Sequence, residues 1–184
     1  MRTTGILVLV VGPSGAGKDT LINAARERLA GDPRFVFPRR MVTRAANAFE
    51  DHDSLSAEDF ARAADAGEFA LHWQAHGLGY GVPRAIGQDL AQGRIVICNV
   101  SRAAIAAARE RFTDVRVLYI DARPEVRAAR IAKRGRDAAE GSRSDRDRET
   151  PGRSAYDVLI DNSDALEAAV TSFMRVLSGL VNGT

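Results

Sequence analysis

The chain has 184 residues, 45% of them hydrophobic and 27% charged, a balance that fits one soluble globular domain able to bury a core without disulfides or metals. A formal net charge of +2 is too small to argue for nucleic acid as a partner, and a lone Cys98 excludes an internal disulfide. No apolar run approaches the ~20 residues needed to cross a bilayer, so no membrane partner is expected.

Residues 5–11 form a buried apolar strand, and residues 19–30 the amphipathic helix after it. The opening apolar run is too short for a signal-peptide core, lacks a small-residue cleavage site and leads straight into glycines, so a cytoplasmic location is expected. Ser56-Ala57-Glu58-Asp59 resembles a capping box and predicts a short helix ending near Gly67. Residues 69–75 read as extended, and Pro83 suits the first turn of a helix that runs to about Gln92. A second strand is expected over 94–100, an alanine-rich helix over 102–112 and a third strand over 115–121. Pro124 then starts a helix reaching about Gly135, followed by a short strand at 158–160 and a closing helix over 164–181. This alternation of strand and helix predicts an α/β domain with a parallel core sheet flanked by helices.

Between the first strand and its helix stands Gly12-Pro13-Ser14-Gly15-Ala16-Gly17-Lys18, the context a phosphate-binding loop requires. Glycines let backbone N–H groups turn inward around phosphate oxygens, and the helix N-terminus adds partial positive charge. Lys18 is placed to reach the β- and γ-phosphates of ATP. Asp19, followed by Thr20, stands where a hydroxyl usually holds magnesium. Its hard carboxylate suits Mg2+ directly or through water, and equally suits the start of a helix dipole.

Residues 123–153 carry ten Lys or Arg against six Asp or Glu, and the stretch 137–153 has a low-complexity, loop-like composition. Arg130, Arg134 and Arg136 precede that stretch at spacings that put them on adjoining helix faces. They predict an arginine-rich lid over about 135–153 that closes on ATP. His72 and His76 have a zinc-like spacing, but the segment reads as extended and no third ligand is evident.

The loop, Thr43-Arg44 with Glu50 downstream, the Ala75–Gly81 run and Arg134-Gly135-Arg136 together resemble the guanylate kinase superfamily, over nearly the whole chain. The resemblance implies a P-loop NTPase fold with a small acceptor-binding lobe at about 39–93. By an ungapped alignment, however, the positions that read guanine in those enzymes hold Leu71, Val82 and Ser101, and Asn47 replaces a second phosphate-binding arginine. Apolar side chains there would leave guanine donors unpaired at ~1–3 kcal/mol each. The chain is more similar to the ribose 1,5-bisphosphate phosphokinases of phosphonate catabolism, over roughly residues 5–165. The shared features include Gly17-Lys18-Asp19, Val42-Thr43-Arg44, Glu50-Asp51-His52, the Trp73–Leu78 run, Tyr80-Gly81-Val82, Asn99-Val100-Ser101-Arg102 and Arg134–Asp137.

That resemblance implies ATP as co-substrate, Mg2+, and transfer onto a phosphate of a small phosphorylated sugar. A phosphate acceptor needs no general base, so the work falls to cations that bring two anions together. Lys18, Arg134 and Arg136 are the expected catalytic groups. Arg40, Arg44, Glu50, Tyr80, Arg84 and Arg102 are the expected acceptor residues, and the loop with Asp19, Thr20 and Arg130 is expected to hold the nucleotide. A nucleoside monophosphate kinase with an altered pocket and a binding module without catalysis stand as alternatives. The oligomeric state is left open, a homodimer included.

Overall fold

The computed structural model describes residues 5–45, 52–133 and 155–182. In chain order the first elements are β1 (Ile6–Val11), α1 (Lys18–Arg28), β2 (Phe35–Val36), β3 (Arg40–Val42), β4 (His52–Ser54) and α2 (Ala57–Asp65). The hairpin β5 (Phe69–Ala75) and β6 (Leu78–Pro83) follows, then α3 (Ile86–Ala91) and β7 (Ile95–Asn99). The chain continues through α4 (Ile105–Arg111), β8 (Val115–Asp121), α5 (Pro124–Lys133), β9 (Val158–Asp161) and α6 (Leu166–Asn182).

Five strands pair in the order β2-β7-β1-β8-β9, all in parallel. Because β1 is central, both faces of its pleat are covered, and a strand buried on both faces must be apolar throughout. Ile6, Val8 and Val10 pack with Leu21 and Ala25 of α1 and Phe173 and Leu177 of α6. Leu7, Leu9 and Val11 face the opposite way, against Leu71, Leu90 and Ala108. Residues 5–11 thus supply two cores at once.

A second sheet, in the order β4-β3-β6-β5, forms the small lobe. Its hairpin turns on His76 and Gly77, at φ of 52° and 73°, between the paired Ala75 and Leu78. Two successive positive φ angles are what a two-residue hairpin turn demands. Gly79 and Gly81 are side-chain gaps: a Cβ would stand 2.9 Å from the Phe60 ring and 2.5 Å from the Phe69 ring respectively. Those rings stack on each other at 4.8 Å under the sheet.

Here the structure departs from several sequence expectations. Pro83 closes β6 opposite Phe69, where a missing N–H is tolerated, and the helix begins only at Ile86. Residues 78–83, for which no strand was expected, form β6 with Tyr80 in it. The helix expected over 102–112 opens as a 3-10 turn, Arg102–Ala104, capped by the Ser101 hydroxyl. The capping box at Ser56 forms as expected, with its hydroxyl oxygen accepting from the Asp59 N–H at 3.0 Å. Among the described residues no helix is long and apolar enough to cross a membrane.

Candidate active site

β1 ends where the sheet order reverses, with β7 on one side and β8 on the other, the crevice where ligands gather in open α/β sheets. The loop after it is held in shape by steric necessity. Gly12 has φ of 144°, and a Cβ there would lie 2.0 Å from the Ile120 carbonyl oxygen. Gly17, at φ of 90°, forms the N-cap of α1, so free N–H groups of that helix open into the loop. Lys18 folds back over the loop and its Nζ donates to the Gly12 oxygen at 2.8 Å and the Pro13 oxygen at 3.1 Å.

The outer side of the loop is clasped by distant chain. Asn162, 1% exposed and just past β9, donates from Nδ2 to the Ala16 oxygen at 2.8 Å. Arg130 of α5 donates to the Asn162 oxygen at 2.9 Å and reaches the Gly15 and Ala16 oxygens at 3.5 Å. Each loop carbonyl held outward keeps the loop's N–H groups facing inward. Sequence reading placed Arg130 on the nucleotide; the structure places its guanidinium on the loop's own carbonyls.

The facing wall comes from the second sheet. Tyr80 stacks on Trp73 at 5.5 Å with the rings 6° from parallel, and the Arg40 guanidinium lies 5.7 Å above the Tyr80 ring. Such a cation over an aromatic face is worth ~0.5–1 kcal/mol at an exposed site, so the stack helps to orient Arg40. The strand end that carries Arg44 is pinned twice. The Thr43 hydroxyl accepts from the Gly79 N–H at 2.8 Å, and the buried His52 ring meets the Arg44 carbonyl at 3.3 Å.

These parts enclose one cleft of about 140 Å3. Gly12, Pro13, Ser14, Gly15, Gly17 and Lys18 line one side of it. Arg40, Arg44, Trp73, His76 and Tyr80 line the other, and Asn99, Ser101 and Arg102 close the end of β7. Its lining brings together Lys18, Arg40, Arg44 and Arg102, with no carboxylate among the described residues that line it, a field made for anions.

The other expected residues fall elsewhere. Ala16 is buried within the loop, and Thr20 is half-buried and does not line the cleft. Arg84 is exposed beyond β6 and also lies outside the lining. Glu50, Arg134 and Arg136, with the expected lid, lie outside the described residues. Leu71 and Val82 are each 1% exposed and belong to the core beneath the Trp73–Tyr80 pair, so neither lines this cleft. The ungapped alignment that set them against a purine therefore fails as a contact argument, and of its three positions only Ser101 reaches the cleft. His72 is exposed on β5, and no cluster of three metal-ligating side chains occurs among the described residues.

Asp19 and Asn99 form a pair that neither residue advertises alone. The Asn99 Nδ2 donates to the Asp19 Oδ1 at 2.6 Å, while the Asn99 Oδ1 is buried with no hydrogen-bond partner. A fixed carboxylate beside an orphaned amide oxygen, next to the lysine of a phosphate loop, is a hard-oxygen set that fits a hydrated Mg2+.

A parallel sheet whose first strand empties into a lysine-tipped phosphate loop, faced by arginines from a separate small sheet, is the plan of a P-loop kinase. The guanylate kinase family profile matches residues 4–179. A ribose 1,5-bisphosphate phosphokinase of Methylobacterium radiotolerans is 52% identical over 90% of this chain and 93% of its own length. Another from Brucella melitensis is 49% identical over 94% of this chain and 92% of its own, and one from Rhodopseudomonas palustris 57% identical over 77% and 73%. A guanylate kinase from Anaplasma phagocytophilum shares the fold, with a TM-score of 0.71 over 99% of this chain and 87% of that one at 22% identity. The chain belongs to the guanylate kinase family, and within it to the ribose 1,5-bisphosphate phosphokinases.

Proposed function

We propose that the protein transfers the γ-phosphoryl group of ATP to the 1-phosphate of ribose 1,5-bisphosphate, giving ADP and 5-phosphoribosyl 1-diphosphate. The observation that carries this reading is the cleft in which the phosphate loop faces Arg40, Arg44 and Arg102, with no carboxylate among its described lining residues. The nucleophile is an oxygen of the acceptor phosphate, already ionised near neutral pH. One bond forms from that oxygen to the γ-phosphorus, and the bond from the γ-phosphorus to the β–γ bridging oxygen breaks. No proton has to move, which agrees with a cleft lined by several cations.

Catalysis on this reading is positioning and charge neutralisation. Phosphate oxygens entering the loop replace the Gly12 and Pro13 carbonyls as partners of the Lys18 ammonium. Arg44 and Arg102 receive the acceptor phosphates with their planar forks, and Tyr80 offers a phenolic hydrogen bond nearby. Asp19 and Asn99 are the residues that would hold Mg2+; when bound, the ion neutralises charge on the nucleotide phosphates. Arg134 and Arg136 are proposed to add guanidiniums at the transferred group.

The test is 31P NMR of purified protein with Mg-ATP and ribose 1,5-bisphosphate, GMP or AMP as acceptor. The expected outcome is a new diphosphate doublet pair only with the sugar bisphosphate. Faster conversion of GMP or AMP would return the assignment to a nucleoside monophosphate kinase, and no turnover with any acceptor would favour a binding module.

A further inference from the structure

Behind the acceptor cleft lies a second, much smaller recess of about 20 Å3, roughly the space of one water. Ile22, Val82 and Ile97 bring apolar atoms to it, and Asp19, Asn23 and Arg26 bring polar ones in about equal share. The two cavities share two lining residues, Arg40 and Asn99. Asn99 is tied to Asp19 at 2.6 Å, and Arg40 lies over the Tyr80 ring, itself stacked on Trp73. The boundary between the cavities is therefore shared by Asn99, fixed by Asp19, and by the Arg40 side chain, which rests on the aromatic stack.

We propose that Arg40 is a specificity-determining partition that sets the depth of the acceptor cleft. With the arginine in place the cleft ends in a cation, which suits a short acceptor carrying phosphate at both ends. Without it, the space of the side chain itself would join the cleft to the recess, and a flat heterocycle attached to a sugar phosphate would have somewhere to go. The same guanidinium thus attracts the second phosphate of a sugar bisphosphate and denies a base the space the side chain fills. The inference rests on the proposed reaction and adds the residue that chooses its acceptor.

The experiment compares kcat/KM of Arg40→Ser for ribose 1,5-bisphosphate and for GMP and AMP, with wild type measured alongside. The expected result is at least a tenfold loss with the sugar bisphosphate together with a measurable gain with a purine monophosphate, so that the ratio shifts by about a hundredfold. Arg40→Lys, which keeps the charge but not the planar stack, should still reject both nucleotides. An unchanged ratio in Arg40→Ser, with all acceptors falling in proportion, would reduce Arg40 to a structural role and overturn the partition. Binding of Mg-ATP reports whether Arg40→Ser is folded; should it not be, Arg40→Ala reads the same ratio with the side chain equally removed. A wild type that ignores the sugar bisphosphate sinks the proposed reaction instead, which keeps the two failures distinct.

Discussion

Replacing Asn162 by alanine tests how the phosphate loop is held. The substitution deletes the 2.8 Å hydrogen bond from Nδ2 to the Ala16 oxygen and leaves that carbonyl in a cavity too buried for easy hydration. A buried acceptor left with only the long 3.5 Å contact from Arg130 costs up to ~1–3 kcal/mol. For a domain of this size ~1 kcal/mol moves the melting temperature by about 2–4 °C, so a fall of roughly 2–12 °C is expected by differential scanning calorimetry. The loss should not stop at stability. The Ala16 carbonyl is held outward by this bond, and a loop free to rotate there must reorder before its N–H groups can meet phosphate. Titration with Mg-ATP should therefore show weaker binding in Asn162→Ala, by about five- to tenfold, while the Arg130 bond to the Asn162 backbone oxygen persists. A variant that melts lower yet binds ATP with wild-type affinity would show that the clasp is structural only. Unchanged melting and binding together would refute the reasoning outright.

Lys18→Ala, which deletes the ammonium that bonds the Gly12 and Pro13 carbonyls, should lose about 10²–10³-fold in kcat, as removal of a single transition-state donor does. Full activity in that variant would remove the loop from the chemistry. Asp19→Ala should lose more activity at limiting than at excess Mg2+, and a Mg2+ dependence identical to wild type would take Asp19 out of the metal's surroundings. Burial pushes the Cys98 thiol up to about 12, so it stays protonated through neutral pH and should react with a disulfide reagent at pH 8 only as fast as the protein opens, but at once in urea. Because the unfolded thiol ionises near the ordinary value of about 9, the stability linked to Cys98 is intact below about pH 9 and declines as pH rises towards 12. Cys98→Ala should flatten that decline, as read by urea denaturation across this range.

The core sheet was legible because its signals are local. An uninterrupted apolar run, a glycine loop and a helix adjoin each other in residues 6–28, and double-sided burial of β1 explains the run. The second sheet was not. Its strand β3 has three residues and includes Arg40, and β6 places Gly79 and Gly81 where the rings of Phe60 and Phe69 need room, a pattern that imitates a loop. Pairings across long stretches of chain were equally silent. Nothing near Asn162 points to Ala16, 146 residues earlier, and the Asn99–Asp19 bond spans 80 residues. Arg44 and Arg102 could be placed because a phosphate acceptor calls for arginines and both stand at strand ends. Arg84 has the same chemistry, but it stands exposed after β6 and does not line the cleft.

The central claim is that one cleft brings two polyanions together and that the second is a sugar bisphosphate. Competition in a single reaction tests it most directly: equimolar ribose 1,5-bisphosphate and GMP with limiting Mg-ATP, followed by 31P NMR. The account predicts that the ATP is consumed into 5-phosphoribosyl 1-diphosphate with GMP left intact. Accumulation of GDP in the same tube would contradict it.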